Sequence, residues 1–242
     1  MEKLGTDYEG VLLIDKTQGW TSHDIVNKVR RCLKIRSVGH AGTLDPLATG
    51  LLIVLVGKAT KVSQYLMSLS KVYDGELVLG KETNSHDVEG ETVAEFPVPE
   101  GLDEESFRKQ MATFIGDQYQ TPPMFSAKKL NGVPLYKLAR QGQEVKRDPR
   151  FINISKFELL EWNKPSAKFR LACSKGTYVR TVCHDLGKRI GCGAHMTQLR
   201  RISSGKFDVA NAITIDQLAQ MNPSEIKKIL IPVAEAVPSL AL

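Results

Sequence analysis

One carboxylate in this chain stands in a setting suited to chemistry. Asp45 lies in the glycine-rich residues 39–50 and is followed by Pro46. A proline restricts the backbone of the residue before it, and burial of Leu44 and Leu47 would fix the direction of the carboxylate. A fixed carboxylate can act as a nucleophile or as a general base. Asp-Pro is also common in plain turns, so these residues alone leave both interpretations open.

A second group of side chains could bind a metal ion. Cys183, His184, Cys192 and His195 offer two thiols and two imidazoles, which are zinc ligands. Their spacing fits no standard zinc finger. Adjacent residues on a helix point about 100° apart, so Cys183 and His184 cannot easily share one ion. We therefore predict no metal site.

Two shorter motifs suggest other reactions. Residues 126–129 read Ser-Ala-Lys-Lys and match the S-x-x-K signature of penicillin-interacting enzymes, but the companion S-D-N and K-T-G elements are missing. Gly39, Gly42 and Gly50 are not followed by Gly-Lys-Ser/Thr, so they do not form a phosphate-binding loop. Neither motif supports a function.

The elements around Asp45 are predicted to hold it firmly. Residues 11–15 form a buried strand, and Thr21 or Ser22 caps a helix. The loop of residues 35–50 follows, and residues 51–56 form a continuous apolar strand. The helix presents an apolar stripe on one face, made of Ile25, Val26, Val29, Cys32 and Leu33.

Later elements alternate between strands and helices. Asp103 is expected to cap a helix that ends at Gly116 and turns Phe107, Met111, Phe114 and Ile115 toward the core. Two short helices follow residue 213, interrupted by Pro223 and Pro232. The remaining predictions are strands at residues 71–80, 151–162, 167–174 and 196–207 and a helix at residues 177–190. The fold class is α+β, with a mixed, largely antiparallel sheet flanked by helices.

Charge is unevenly distributed along the chain. The net charge is +6, yet residues 82–105 hold nine acidic side chains and no Lys or Arg, whereas residues 128–150 hold seven basic and two acidic ones. Residues 16–36 and 175–206 are also basic. Such segments favour a polyanion-binding face, although solvated helix faces explain the same charges. The proline-rich residues 121–150 are predicted to protrude as an insertion.

Composition limits the class of protein. The 242 residues are 42% hydrophobic and 25% charged, as in soluble globular proteins. We expect a catalytic domain at residues 1–207, with the insertion at about 120–150, and a short helical tail at 208–242. The longest apolar run, residues 51–56, is far below the roughly 20 residues of a membrane span. With no secretory signal and four scattered cysteines, a cytoplasmic location without disulfides is expected.

Residues 39–50 resemble the catalytic loop of the TruB family of tRNA pseudouridine synthases. Residues 10–16, 71–73 and 173–181 resemble further motifs of this family, in the family's order. Residues 122–145 resemble its RNA-gripping insertion, and 191–201 its last core motif. The resemblance therefore covers roughly residues 9–207 and is long enough to be specific.

This resemblance implies a pseudouridine synthase core fold that acts on uridine 55 in the T-loop of tRNA, with no metal or organic cofactor. The reaction breaks the C1′–N1 bond, turns the detached uracil and joins C5 to C1′. Asp45 matches the family's essential carboxylate. It either attacks C1′ or removes the 2′ proton, and the sequence leaves both routes open.

Other positions match the family's active-site residues. Arg180 matches the arginine that pairs with the aspartate, and Tyr73 the residue that stacks on the uracil and relays the C5 proton. Tyr178 matches a second active-site tyrosine, and Leu199 an apolar wall of the base pocket. Without the resemblance, Arg180 is equally well explained as a phosphate contact and Leu199 as a core leucine. Tyr73 and Tyr178 are then ordinary strand tyrosines.

RNA binding is expected to involve the loop and the insertion. His40 matches the residue that takes the place of the flipped-out base, which a flat imidazole can fill by stacking. Basic side chains of the insertion are expected to contact phosphates, namely Lys128, Lys129, Arg140, Lys146 and Arg147.

The resemblance is to the stand-alone bacterial type, which implies binding of the T stem-loop of tRNA without an obligatory protein partner. The sequence does not reveal the oligomeric state, and a monomer is our default expectation. Residues 208–242 are too few for a full C-terminal RNA-binding domain. We therefore expect RNA binding that is weaker, or steeper in salt, than in longer relatives. Two alternatives stay open: a tRNA-folding chaperone with secondary catalysis, and the catalytic subunit of a guide-RNA particle.

Overall fold

The computed structural model describes residues 8–126, 129–130, 132–139 and 141–238. Within them the strands are β1 (Gly10–Lys16), β2 (Val38–His40), β3 (Thr49–Val56), β4 (Lys71–Leu79), β5 (Lys81–Thr83), β6 (Thr92–Glu95), β7 (Gly116–Gln120), β8 (Lys129–Leu130), β9 (Val133–Pro134), β10 (Arg150–Asn163), β11 (Ser166–Cys173), β12 (Ala194–Ser204) and β13 (Phe207–Asp208). The helices are α1 (Ser22–Leu33), α2 (Ser63–Ser68), α3 (Glu104–Ala112), α4 (Leu135–Ala139), α5 (Val179–Ile190), α6 (Ile215–Gln220), α7 (Pro223–Ile229) and α8 (Val233–Ala236). Short 3-10 turns occupy Gly57–Val62 and Val209–Asn211.

The chain divides into two compact units. The first contains Met1–Tyr73 and Leu199–Leu242, and the second contains Asp74–Gln198. Strands β4 and β12 each begin in one unit and end in the other. The sequence analysis predicted a different boundary, at residue 207, between a catalytic domain and a short tail. That boundary stays a prediction.

In the first unit, β3 is the central strand. β1 runs antiparallel to it, from Gly10 opposite Val56 to Lys16 opposite Gly50. β2 also pairs antiparallel with β3, whereas β12 pairs parallel with it. Because β3 is covered on both faces, all its residues from 50 to 56 are buried, and its uninterrupted apolar sequence follows from that position.

Helix α1 begins and ends through local chemistry. Thr21 caps it, accepting a hydrogen bond from the backbone of Asp24 while the Asp24 carboxylate accepts one from the backbone of Thr21. This reciprocal capping satisfies N–H groups that have no partner inside the helix. Lys34 adopts a left-handed conformation, φ 52°, and ends the helix. The predicted stripe is buried, except that Cys32 is half-exposed.

In the second unit the strands follow the order β4, β11, β10, β7. β10 is antiparallel to both of its neighbours. Helix α3 packs on β10 and on α5, and the Phe107 ring lies 4.5 Å from the Trp162 ring. The predicted α+β class with a mixed, largely antiparallel sheet flanked by helices is confirmed.

Several boundaries differ from the predictions. Strand β2 lies inside what was expected to be an unbroken loop at residues 35–50. Helix α3 ends at Ala112, so Ile115 is 50% exposed and Gly116 begins a strand. The expected strand at 196–207 is broken by a turn at Gly205, whose φ is +56°.

The other differences concern the insertion and the tail. Residues 121–150 contain the hairpin β8–β9 and helix α4. The tail has three helices among the described residues, and Pro223 begins the second because a proline at the first helical position sacrifices no helical hydrogen bond. No helix in the described part of the chain is long and apolar enough to span a membrane.

Candidate active site

His40 lies where β2 leads into the glycine-rich loop. It stands opposite Val54 of β3, and the next residue, Ala41, donates a backbone hydrogen bond to the Ile53 carbonyl at 2.9 Å. Burial lowers the pKa of the His40 imidazole, and the nearby positive charge of Arg201 lowers the pKa further. The ring is therefore neutral at pH 7, a form that stacks on bases without attracting phosphate.

The backbone before Asp45 is clamped by a buried serine. The Ser22 hydroxyl accepts a hydrogen bond from the Leu44 N–H at 2.8 Å and donates one to the Leu44 carbonyl at 3.0 Å. Ala48 donates to the Asp45 carbonyl at 3.0 Å, which closes the turn. Leu44 and Leu47 are buried while Asp45 is half-exposed. Asp45 thus has a fixed backbone and a side chain that a substrate can reach.

Two buried cations hold carbonyl groups in the glycine-rich loop and beside it. The Lys16 ammonium donates to the carbonyls of Trp20 at 2.7 Å and Pro46 at 3.3 Å. The Arg201 guanidinium donates to Gly42 at 3.1 Å and Leu51 at 2.6 Å. Both side chains are at most 1% exposed. A buried charge is costly unless hydrogen-bonded, so these contacts fix both the cations and the loop.

The end of the loop depends on a glycine. Gly50 has φ +93°, and a Cβ added there would lie 2.3 Å from the carbonyl oxygen of Arg201. Only glycine permits the parallel pairing of β3 with β12 at this point. On the preceding residue, the Thr49 hydroxyl donates to the Leu199 carbonyl at 3.4 Å. Leu199, the predicted pocket wall, is half-buried.

Tyr73 completes the predicted residues of the first unit. It lies on β4 and is 8% exposed. Two residues earlier, the buried Lys71 ammonium donates to the carbonyls of Met67 and Leu69. Its Cε lies 3.9 Å from the position of a Cβ built on Gly42. The start of β4 therefore packs beside the glycine-rich loop.

Tyr178 and Arg180 stand at the start of α5 in the second unit. The Gln120 side chain fixes Tyr178, since its amide donates to the Tyr178 carbonyl at 3.1 Å and accepts from the Tyr178 N–H at 2.8 Å. The Arg180 guanidinium carbon lies 5.9 Å from the centre of the Tyr178 ring. The structure thus brings these two predicted residues together on one helix start.

Arg180 is held by the turn that joins β5 to β6. Its guanidinium donates to the Ser85 carbonyl at 3.0 Å, to the Asp87 carboxylate at 3.4 Å and to the Phe125 carbonyl. Arg180 is 5% exposed and Asp87 4%. In turn, Asp87 accepts from the Ser85 hydroxyl at 2.5 Å and from the Glu89 N–H at 3.1 Å. These contacts hold the Arg180 guanidinium in one orientation.

The basic side chains predicted to contact phosphates are only partly described. Lys128 and Arg140 lie outside the described residues, and Lys129 is described by its backbone in β8. Lys146 is exposed. Arg147 is half-buried and donates to Glu144 at 3.1 Å. The described insertion therefore offers Lys146 to a phosphate directly, while Arg147 already has an acidic partner.

The side chains considered for a metal ion do not converge. Among the described residues no group of three or more His, Cys, Asp or Glu side chains has the spacing of a metal site. Burial raises the pKa of the Cys183 thiol well above its usual value, which disfavours the thiolate that binds metals. The Nδ1 atom of His195 lies 3.1 Å from the Lys81 carbonyl. All four cysteines are free.

Comparison with family models identifies the chain. Residues 30–179 match the TruB family pseudouridylate synthase N-terminal domain, and residues 180–238 match the tRNA pseudouridylate synthase B C-terminal domain. The chain belongs to the TruB family. The pseudouridine synthase resemblance predicted from the motifs is thereby confirmed.

Curated relatives in the TruB family are tRNA pseudouridine synthases B. The protein of Opitutus terrae is 56% identical over 97% of this chain and 97% of its own length. That of Syntrophotalea carbinolica is 50% identical over 94% of this chain and 74% of its own length. The chain is therefore an enzyme of the pseudouridine synthase class.

Solved structures agree with this family. A chain of a Cbf5-Nop10-Gar1 complex has a TM-score of 0.72 and 30% identity, covering 94% of this chain and 61% of its own length. The archaeal box H/ACA sRNP Nop10-Cbf5 complex gives a TM-score of 0.71 at 27% identity, over 95% of this chain and 61% of the neighbour. This TruB-family chain thus spans less than two thirds of those neighbours.

Several side chains that support the site were not singled out from the sequence. Ser22 was considered only as a helix cap, Lys16 and Arg201 only as parts of motifs, and Asp87 only as part of an acidic segment. A buried role for Lys16 was suggested by its position directly after five mostly apolar residues. Nothing in the local sequence indicated that Asp87 contacts Arg180, 93 residues away.

Proposed function

We propose that this protein isomerises uridine 55 in the T-loop of tRNA to pseudouridine, with Asp45 as the essential carboxylate. The observation that carries the proposal is the clamped backbone and reachable side chain of Asp45 within a TruB-family chain. Preorganised groups accelerate reactions because they need not be ordered in the transition state. Relatives named tRNA pseudouridine synthase B support tRNA as the substrate.

The reaction is an internal exchange of one bond for another. The C1′–N1 bond breaks, the uracil turns while it stays bound, and C5 joins C1′; the C5 proton leaves and N1 gains one, so the product is an isomer. In one route Asp45 attacks C1′ and is displaced when C5 bonds. In the other it removes the 2′ proton and returns it at the end. Both routes also need a base that accepts the C5 proton, and Tyr73 is proposed for this role.

The remaining roles follow the resemblance. That Arg180 pairs with Asp45 stays a prediction, and so do the contacts of Tyr178 and Leu199 with the base. His40 is proposed to take the place of the extruded uridine, an exchange for which its neutral, half-buried ring is suited. No cofactor is invoked, since the bond exchange is redox-neutral and needs no group carrier.

The substrate is proposed to be bound by this protein alone, as a monomer in the cytoplasm. The neighbours from Cbf5-Nop10-Gar1 and H/ACA assemblies contain partner proteins, but the curated relatives that match most of this chain are tRNA enzymes. Incubating purified protein with a bare T-arm stem-loop tests this point. Pseudouridine formation without another factor is expected, and a strict need for a guide RNA would favour the particle-subunit alternative.

The decisive experiment uses Asp45→Asn, which keeps the side chain's size but removes its charge. An unmodified tRNA transcript is treated with each protein, and pseudouridine is mapped at base resolution. Wild type is expected to modify position 55 alone, whereas Asp45→Asn makes no product yet still binds tRNA. Asp216→Asn is the matched control, because Asp216 is exposed on α6, and it should retain full activity.

Three results would contradict the proposal. Product formation by Asp45→Asn at a rate close to wild type would remove Asp45 from the chemistry. Modification at another position would leave the enzyme class intact but overturn the choice of uridine 55. Loss of tRNA binding together with activity, in a folded Asp45→Asn protein, would assign Asp45 to binding rather than to catalysis.

A further inference from the structure

Two histidine rings stack directly on each other in the second unit. The His86 and His184 ring centres are 3.8 Å apart and their planes differ by 5°. His86 lies in the turn between β5 and β6, and His184 lies on α5. Parallel rings at this distance are in van der Waals contact over their faces. The pair therefore ties the turn to the helix.

The backbone at His86 is unusual and closely held. His86 has φ +67°, a left-handed conformation that is uncommon outside glycine. Its Nδ1 lies 3.3 Å from the Thr181 hydroxyl of α5, and its carbonyl accepts from the Met196 N–H at 3.0 Å. A residue in such a conformation persists when its surroundings enforce it. The stack and these hydrogen bonds provide that enforcement.

The turn and the helix joined by the stack are also joined by Arg180. The residues on either side of His86 hold the guanidinium: Ser85 through its carbonyl at 3.0 Å and Asp87 through its carboxylate at 3.4 Å. On α5, His184 lies one turn after Arg180, and residues four apart share a helix face. The stack is thus immediately beside the contacts that orient Arg180.

We propose that the His86–His184 stack is a positioning device that keeps the guanidinium of Arg180 in its working orientation. This inference rests on the proposed role of Arg180 in the reaction. Without the ring of His184, His86 loses its stacking partner, and the turn can move away from α5. The Ser85 carbonyl and the Asp87 carboxylate then move with it, so that Arg180 loses two of its anchors.

Both rings of the stack are neutral near pH 7. Burial lowers the pKa of His86 to about 3, with further lowering from His184, Arg180, Lys188 and Arg147. Burial lowers the pKa of His184 to about 4, and Lys188 lowers it further. A proton on either ring would place a new cation among these positive groups. Asp87, the acid beside His86, would not offset that charge, because it already contacts Arg180.

A shared metal ion does not explain this pair. The lone pair of an imidazole nitrogen lies in the plane of the ring, and metals bind along it. Lone pairs in two parallel, stacked planes run side by side and do not converge on one ion. The stack therefore serves packing rather than coordination.

The test compares His184→Ala, which removes the ring, with His184→Phe, which keeps a flat ring that cannot be protonated. Single-turnover and steady-state rates are measured on tRNA transcripts. His184→Ala is expected to lower kcat by about 10- to 100-fold, the effect of a small misplacement of a reacting group, with little change in KM. His184→Phe is expected to restore most of kcat.

A double-mutant cycle with Arg180→Lys distinguishes positioning from general destabilisation. If His184 acts through Arg180, adding His184→Ala to Arg180→Lys lowers kcat much less than it does in wild type. Additive losses would overturn the inference, as would unchanged kcat in a folded His184→Ala protein. Full activity of Arg180→Lys and of Arg180→Ala would instead overturn the proposed role of Arg180, leaving the two failures distinguishable.

Histidine NMR on the wild-type protein keeps the inference testable even if a variant does not fold. The His86 and His184 ring protons are expected to be shifted by each other's ring current and not to titrate between pH 5.5 and 8, a range chosen well above both lowered pKa values. Ring protons without any ring-current shift would show that the two rings do not stack and would overturn the inference.

Discussion

Removing one buried hydroxyl should both destabilise the first unit and slow catalysis. Ser22 is 2% exposed, and its hydroxyl is hydrogen-bonded to the N–H and the carbonyl of Leu44. Leu44 is itself 3% exposed and directly precedes Asp45. Ser22→Ala deletes the hydroxyl without adding volume. It therefore leaves two backbone groups of the glycine-rich loop without their partner.

The expected loss of stability follows from those two groups. A buried polar group left unsatisfied costs about 1–3 kcal/mol, so the pair amounts to about 2–6 kcal/mol if no water enters. A loop that relaxes to recover these hydrogen bonds moves Asp45, and a misplacement of about 1 Å can cost about 100-fold in rate. Stability and kcat are thus expected to fall together.

A second buried serine supplies the matched control. Ser204 on β12 is 1% exposed, and its hydroxyl finds no hydrogen-bond partner among the described residues. Ser204→Ala makes the same chemical change at the same depth of burial but removes no hydrogen bond. Its stability should equal or exceed that of wild type, because an unpaired buried hydroxyl is itself unfavourable.

The assay combines urea unfolding with single-turnover release of the C5 hydrogen from tRNA labelled with tritium at that position. Ser22→Ala is expected to unfold at clearly lower urea and to release tritium more slowly at saturating enzyme. Equal unfolding midpoints for Ser22→Ala and Ser204→Ala would refute the hydrogen-bond reasoning. A destabilised Ser22→Ala protein with wild-type rate would show that Asp45 is oriented by other contacts.

Two further predictions concern the glycine at the loop's end and the response to acid. Gly50→Ala should destabilise the protein by about 2–5 kcal/mol in urea unfolding, because it combines positive-φ strain with overpacking against Arg201. Gly142→Ala is the control: Gly142 has φ +70° and nothing within 4 Å of an added Cβ, so this variant should lose only the strain of about 1–2 kcal/mol. Acidification from pH 7.5 to 5 should lower the urea midpoint more in wild type than in His184→Phe. Below about pH 6.5 the unfolded chain protonates its histidines, whereas folded His86 and His184 stay neutral because their pKa values are lowered. The variant has only one of these two histidines, so it loses less stability.

The features predicted correctly from the sequence depend on residues close together in the chain. Helix α1 has its cap and its apolar stripe within the range from Thr21 to Leu33. Strand β3 is a single apolar run. The glycine-rich loop is likewise contiguous, so its resemblance to a catalytic loop was visible without any knowledge of the fold.

The end of α3 shows why local patterns also mislead. Phe114 and Ile115 continue the apolar pattern of the helix, and Gly116 is a typical helix terminator, so the sequence predicted a longer helix. Phe114 is indeed 4% exposed, but it packs after the helix has ended, against Phe157 and the Arg189 side chain. Tertiary contacts, which have no local signal, determine where the helix stops.

Contacts between distant parts of the chain could not be predicted from one sequence. Arg201 reaches carbonyls of the loop from 150 or more positions away, and His86 meets His184 across 98 positions. Each of these residues has a common alternative role on the surface. Their roles depend on the folded path of the backbone, which a local motif does not encode.

Burial in the folded protein determines which of the positive charges can bind RNA. Lys16, Arg180 and Arg201 belong to segments whose basic character suggested a polyanion-binding face, yet each is at most 5% exposed and donates to backbone carbonyls. These cations are too buried to meet RNA phosphates and release their counterions. The salt dependence of tRNA binding must therefore come from exposed cations such as Lys146 and Arg150. Part of the basic composition therefore holds backbone carbonyls in place inside the protein rather than attracting RNA.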